Sequence, residues 1–167
     1  MVTLESSSQG WVPLTHDSRK EYTIINEDSL INIWGKGMTA KDFKKINADL
    51  RISVKAFEKP ISLDFANAQL SKDTLNTWIS GFPGHYWFSH KISILKNNYQ
   101  AILEFGDDEG NYSKITTLSS QLILNSLDIN VGKEIKGHIE YEGMCDNCTE
   151  SWRAVKIKGS FKVLIGG

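Results

Sequence analysis

The sequence predicts an all-β protein, mainly antiparallel, folded as a β-sandwich or flattened barrel with one or two short helices. Three observations carry this. Apolar and polar residues alternate with period two in segment after segment. Turn-forming residues recur at short intervals between those segments. Helical patterns do not alternate regularly with strands, which argues against a parallel α/β sheet.

The alternation is clearest near the C-terminus. Residues 134–141 place Ile135, Gly137, Ile139 and Tyr141 on one face and Glu134, Lys136, His138 and Glu140 on the other. Residues 153–165 place Val155, Ile157, Gly159, Phe161 and Val163 opposite Lys156, Lys158, Ser160 and Lys162. A helix would scatter these lysines around its circumference, whereas a strand keeps them on one face. Both apolar sets are odd-numbered, and cross-strand partners share a face. Odd residues therefore pair with odd residues, and the connection holds an odd number of residues unless a bulge absorbs one. The simplest register centres the turn on Asn147, setting Ile139 opposite Val155 and Gly137 opposite Ile157. A one-residue slip would bury Lys156 and Lys158, so the parity is strongly specified.

In chain order, residues 1–10 are polar and serine-rich and read as a loose arm. Residues 11–167 read as one β domain. A short apolar patch at 11–14 precedes a loop at 15–20. Residues 22–25 and 30–34 are expected strands. Residues 39–48 are the best helix candidate, with Thr39 as cap and Asp42 at capping-box spacing. Strands are expected at 50–57 and 61–66, and a helical turn at 71–79. Gly81 and Gly84, flanking Phe82-Pro83, break that turn. Strands follow at 86–95, 99–105, 112–118 and 121–124, leading into the final hairpin.

The totals narrow the function. A chain of 167 residues suits one domain with its own core. A net charge of −1 argues against a general nucleic-acid binder. No stretch is apolar enough to span a membrane as a helix. Residues 1–10 lack the apolar segment of a signal peptide, so the compartment is cytoplasmic if Met1 is the native start and extracytoplasmic if the chain is a mature form. P-loop, G-x-S-x-G, H-E-x-x-H and Rossmann patterns are absent, and no cofactor is expected.

Four features remain as candidates. Residues 78–90 hold Trp78, Phe82, His85, Tyr86, Trp87, Phe88 and His90 around a Gly/Pro break. Such a loop can offer an aromatic platform to a sugar, a peptide or a base. The plainer alternative is that alternate members enter the core, although consecutive strand residues cannot all point one way.

The second feature is the pair Cys145 and Cys148, expected as a short-loop disulfide or two free thiols. Zinc would need two further ligands. Thioredoxin-like chemistry would need a helix N-terminus rather than a hairpin flanked by Glu142, Asp146 and Glu150. Third, the acidic turn at 106–111 lacks calcium-loop spacing and reads as solvated. Fourth, Lys136, His138, Lys156, Lys158 and Lys162 share one face and could meet an anionic partner, or simply face water. Two N-x-[ST] sequons begin at Asn111 and Asn147.

The function expected from these features is a non-catalytic binding module of unknown ligand, with the aromatic loop as its contact. The alternative is a protein-interaction or inhibitory domain of immunity type that uses the lysine face. A dispersed catalytic site is the third reading.

Overall fold

A computed structural model describes residues 10–32, 43–81 and 84–167. Almost all of these residues are in strands or tight turns, with one helical turn among them, α1 (Glu150–Arg153). Seven strands close into a ring. They are β7 (Phe65–Ser71), β8 (Thr74–Gly81), β9 (Tyr86–Leu95), β10 (Asn98–Asp107), β11 (Tyr112–Leu124), β12 (Glu134–Met144) and β13 (Ala154–Gly166). Each is antiparallel to the next up to β13, which returns to β7 through a short parallel contact, Ile165 with Ala68 and Gly166 with Gln69. The outer strands β5 (Ala48–Val54) and β6 (Ile61–Leu63) add to the free half of β13. The short strands β1 (Val12–Pro13) and β2 (Thr15–His16) pair with β10 and β11. A separate two-stranded piece joins β3 (Leu30–Asn32) to β4 (Phe43–Lys45).

The interior follows from the alternation. Ile135, Ile139, Tyr141, Val155, Ile157, Phe161 and Val163 are all buried, as the odd-numbered face requires. They share one core with Leu50, Ile52, Leu75, Ile79, Phe88, Ile92, Tyr99 and Leu103 from the other strands.

The hairpin keeps the expected parity but not the expected register. Ile139 lies opposite Gly159 and Gly143 opposite Val155, and the connection runs over 145–153 rather than centring on Asn147. Charge and shape explain the difference. The observed register sets Glu140 opposite Lys158 and Glu142 opposite Lys156, with ion pairs of 3.4 and 3.7 Å. Each register opposes one pair of lysines, Lys136 with Lys158 in the simpler one and Lys136 with Lys162 in the observed one, so the two Glu–Lys pairs make the difference. The Phe161 ring also lies over Gly137, where an added Cβ would collide with it.

Other expectations are corrected. The expected helix at 39–48 is, where it is described, the short strand β4, a two-residue break and the start of β5. Phe43–Lys45 pairs with Leu30–Asn32, and fully buried Ala48 opens β5; residues 39–42 lie outside the described part. Tertiary pairing overrides a local capping signal here. The expected helical turn at 71–79 is the end of β7 and most of β8, joined through Lys72 at φ 55°. Leu75, Thr77 and Ile79 are buried and Trp78 points outward, so the period is two. Residues 22–25 form no strand. Residues 112–118 and 121–124 are one strand, bent by a bulge that turns Leu118 out to solvent.

Candidate functional site

Because the strands alternate in direction, every second connection emerges at the same end of the ring. Connections 55–60, 84–85, 108–111 and 145–153 gather at one end; 72–73, 96–97 and 125–133 lie at the other. The first group contains the aromatic loop, the acidic turn and the cysteine pair, three features that are far apart in sequence.

The gathered loops are bonded to one another. His85 Nδ1 lies 2.7 Å from Asp108 Oδ2, and the Asp108 amide donates to the His85 carbonyl at 3.0 Å. The Ala56 amide donates to the Ser151 carbonyl at 2.9 Å, and Lys55 pairs with Glu150 at 3.2 Å. Thr116 Oγ1 donates to Asp146 at 3.4 Å. Within the acidic turn, the Asp107 carboxylate accepts the amides of Glu109 and Asn111 and the side-chain amide of Asn111. The Asn111 side-chain bond leads in holding the Asp107 carboxyl below its ordinary pKa. Those oxygens thus tie the turn together. Among the described residues no group of three His, Cys, Asp or Glu is arranged to hold a metal ion.

Trp152, on α1, is the hub of this end. Its ring stacks on Phe105 at 5.1 Å and 15° and meets Phe57 edge-on at 5.2 Å. Tyr86 lies 5.1 Å away, tilted, and Phe88 stacks at 6.4 Å. Phe88 and Phe105 are buried, while Tyr86 is 36% exposed. Together these rings cap the core. Beside Tyr86 runs a groove of about 430 Å³ lined by His85, Tyr86, Asp107, Asp108 and Glu109. A smaller hollow of about 60 Å³ continues from it past Phe105 to Asn111 and Tyr112. A second groove, about 440 Å³, lies across Phe57, between Lys55 and Lys156.

The expected aromatic platform is only partly assembled. His85 and Tyr86 line the groove. Trp78 sits on the outer wall under Lys91, whose Nζ is 5.7 Å from the ring. Trp87 lies on the outer wall across from Gly106. His90 points into the core and is fully buried. Phe82 lies outside the described residues. Trp152, Phe57 and Tyr112 were not singled out by sequence reasoning. An unpaired tryptophan just after the cysteine pair, between two strands, was the available signal for Trp152.

Cys145 and Cys148 stand at disulfide distance, with Cα atoms 5.4 Å apart. Cys145 is 1% exposed and Cys148 is half-buried.

The lysine face is largely neutralised. Lys156 pairs with Glu142, Lys158 with Glu140 and Lys162 with Glu27. His138 lies 3.2 Å from Ser160 and 3.7 Å from Glu140. Burial, helped by nearby Lys20, lowers its pKa despite Glu140. Lys136 faces Lys162 across the ladder.

No helix among the described residues is long and apolar enough to cross a membrane. No protein-family model, curated protein or solved structure matches the chain significantly.

Proposed function

We propose that this protein is a non-catalytic binding module, a flattened barrel that takes its ligand at the loop-gathered end, across the groove beside Tyr86. The observation that carries this reading is the convergence of separate loops on a half-exposed tyrosine. Binding surfaces on β scaffolds are commonly built from loops held by a rigid frame. Tyr86 offers a flat ring backed by Trp152 and Phe57, and His85, Asp107 and Asp108 supply polar groups along the rim. An aromatic wall with a few polar groups suits a small ligand or one end of a chain. The lysine-face alternative has less support, because Lys156, Lys158 and Lys162 already face carboxylates.

The test compares the native chain with Tyr86→Ala and with His85→Ala on glycan and peptide arrays, followed by amide chemical-shift mapping of each hit. Truncating a central aromatic contact typically costs about 2 kcal/mol, so Tyr86→Ala should weaken binding roughly thirtyfold. The shifts should centre on His85, Tyr86 and Asp108. Hits that bind Tyr86→Ala equally well, with shifts on Lys156 and Lys158, would move the site to the lysine face.

A further inference from the structure

We propose that Cys145 and Cys148 form a redox latch on the tip that carries Trp152, setting whether the aromatic cap is held shut. Besides the Trp152 ring contacts and the Ala56–Ser151, Lys55–Glu150 and Thr116–Asp146 bonds to neighbouring loops, the tip has little local structure to hold its shape. The helical turn α1 spans Glu150–Arg153, and its N-cap residue Thr149 makes no side-chain capping bond. So short a helix is not stable by itself. Its local backbone bonds are few: the Cys145 amide to Arg153, the Cys148 amide to Cys145 and the Trp152 amide to Thr149. The cysteine bond closes the turn immediately before α1 and anchors it to Cys145, which is packed in the core. Trp152 is thereby held at the position where it stacks on Phe105 and meets Phe57 and Tyr86.

The two sulfurs are not equivalent. Cys148 is partly open to solvent beside Ser113, with Sγ and Oγ 3.9 Å apart, whereas Cys145 is buried. A reducing dithiol therefore attacks Cys148. The Cys145–Cys148 bond breaks, a mixed disulfide forms at Cys148, and the Cys145 sulfur leaves and takes up a proton. The second thiol of the reductant then displaces Cys148, which is also protonated. The reductant departs as its own disulfide, having given up two electrons. The core does not depend on this bond, because so small a closed loop contributes only a modest entropic term.

The test is amide hydrogen exchange on the oxidised and dithiothreitol-reduced chain, with reduction confirmed by a gain in mass of two hydrogen atoms. A four-residue loop implies about a twentyfold rise in local opening when the bond is cut. Exchange at Cys148, Trp152 and Ala56 should accelerate by that factor, while Ile139 and Ile157 are unchanged. The double variant Cys145→Ser/Cys148→Ser should match the reduced chain and ignore dithiothreitol. Equal exchange at the tip before and after reduction overturns the latch. So does uniform acceleration through the core, or a pair that dithiothreitol leaves intact. The inference touches the binding reading through Tyr86, but its readout uses no ligand, so either can fail without the other.

Discussion

Both ring nitrogens of His90 are buried and make no well-formed hydrogen bond among the described residues, the Ile102 backbone being only a weak partner, and the ring stands edge-on to Tyr141 at 4.8 Å. Ile79 and Leu103 flank it across the ladders. Burial drives the His90 pKa down to about 4, with the Ile102 backbone offsetting part of the effect. Burial likewise pushes the Tyr141 hydroxyl up to about 12. The unfolded histidine takes up a proton below about pH 6.5, the folded one only near 4. Its contribution to stability is therefore complete above pH 6.5, is lost as pH falls toward 4, and levels off below that. The whole effect is about 3 kcal/mol. Urea melts at pH 7.0, 5.5 and 4.5 should show this loss in the native chain and a flatter profile in His90→Leu. Parallel profiles would mean that other groups govern acid sensitivity. Gly159 is also under close constraint. Its φ is 156°, and a Cβ there would run into the Asp49 carbonyl of the neighbouring strand.

Among the elements, the tip formed by 145–153 carries the ring on which the aromatic cap centres, Trp152. Trp152 is half-buried but touches four other rings, so Trp152→Ala removes a large contact and leaves a space that the rigid ring cannot fill. Its expected cost is about 3 kcal/mol, against about 2 kcal/mol for Cys145→Ser. Chemical denaturation should rank the two in that order. The reverse ranking would mean that the cysteine bond contributes more to global stability than the aromatic hub does. The hairpin feeding this tip shows what was legible at this scale. Parity was readable because a slip inverts every side chain. The register was also readable in principle, since only the longer connection sets Glu140 and Glu142 opposite Lys158 and Lys156. The helix expected at 39–48 failed for a different reason. A capping pattern is worth little beside the pairing of Phe43–Lys45 and the burial of Ala48.

For the whole molecule, closure of the ring rests on a small contact. β13 pairs with β7 through Ile165 and Gly166, and Ile165 is itself a core residue, 1% exposed. Ile165→Ala should therefore destabilise the fold by about 3 kcal/mol. Its neighbour Leu164, 68% exposed, should tolerate alanine within about 0.5 kcal/mol. Thermal melting of the two variants checks this, and equal losses would show that burial of Ile165 does not secure the seam. The seam between β10 and β11 is zipped at Leu103–Gly106 with Ile115–Tyr112. Farther along, side chains bridge it: Thr117 Oγ1 donates to the Ala101 carbonyl at 2.8 Å, and the Tyr99 hydroxyl meets Ser120 at 2.8 Å. Such closure joins residues far apart in the chain, which places folding in the slow range of β proteins.

The sequence alone determined the all-β class of the fold, the inward faces of β12 and β13 and the surface position of Lys156 and Lys158, because these depend on a local period of two. It also marked the aromatic loop and the cysteine pair as features of interest. Only the tertiary structure decided which features share a place. The alternation of strand direction around a closed ring brings Tyr86, Asp108 and Trp152 to one end, and sends Trp78 to the outer wall and His90 into the core. No local pattern contains that information. It arises from how many strands lie between two residues and from which neighbour each strand finds, and those are properties of the closed sheet.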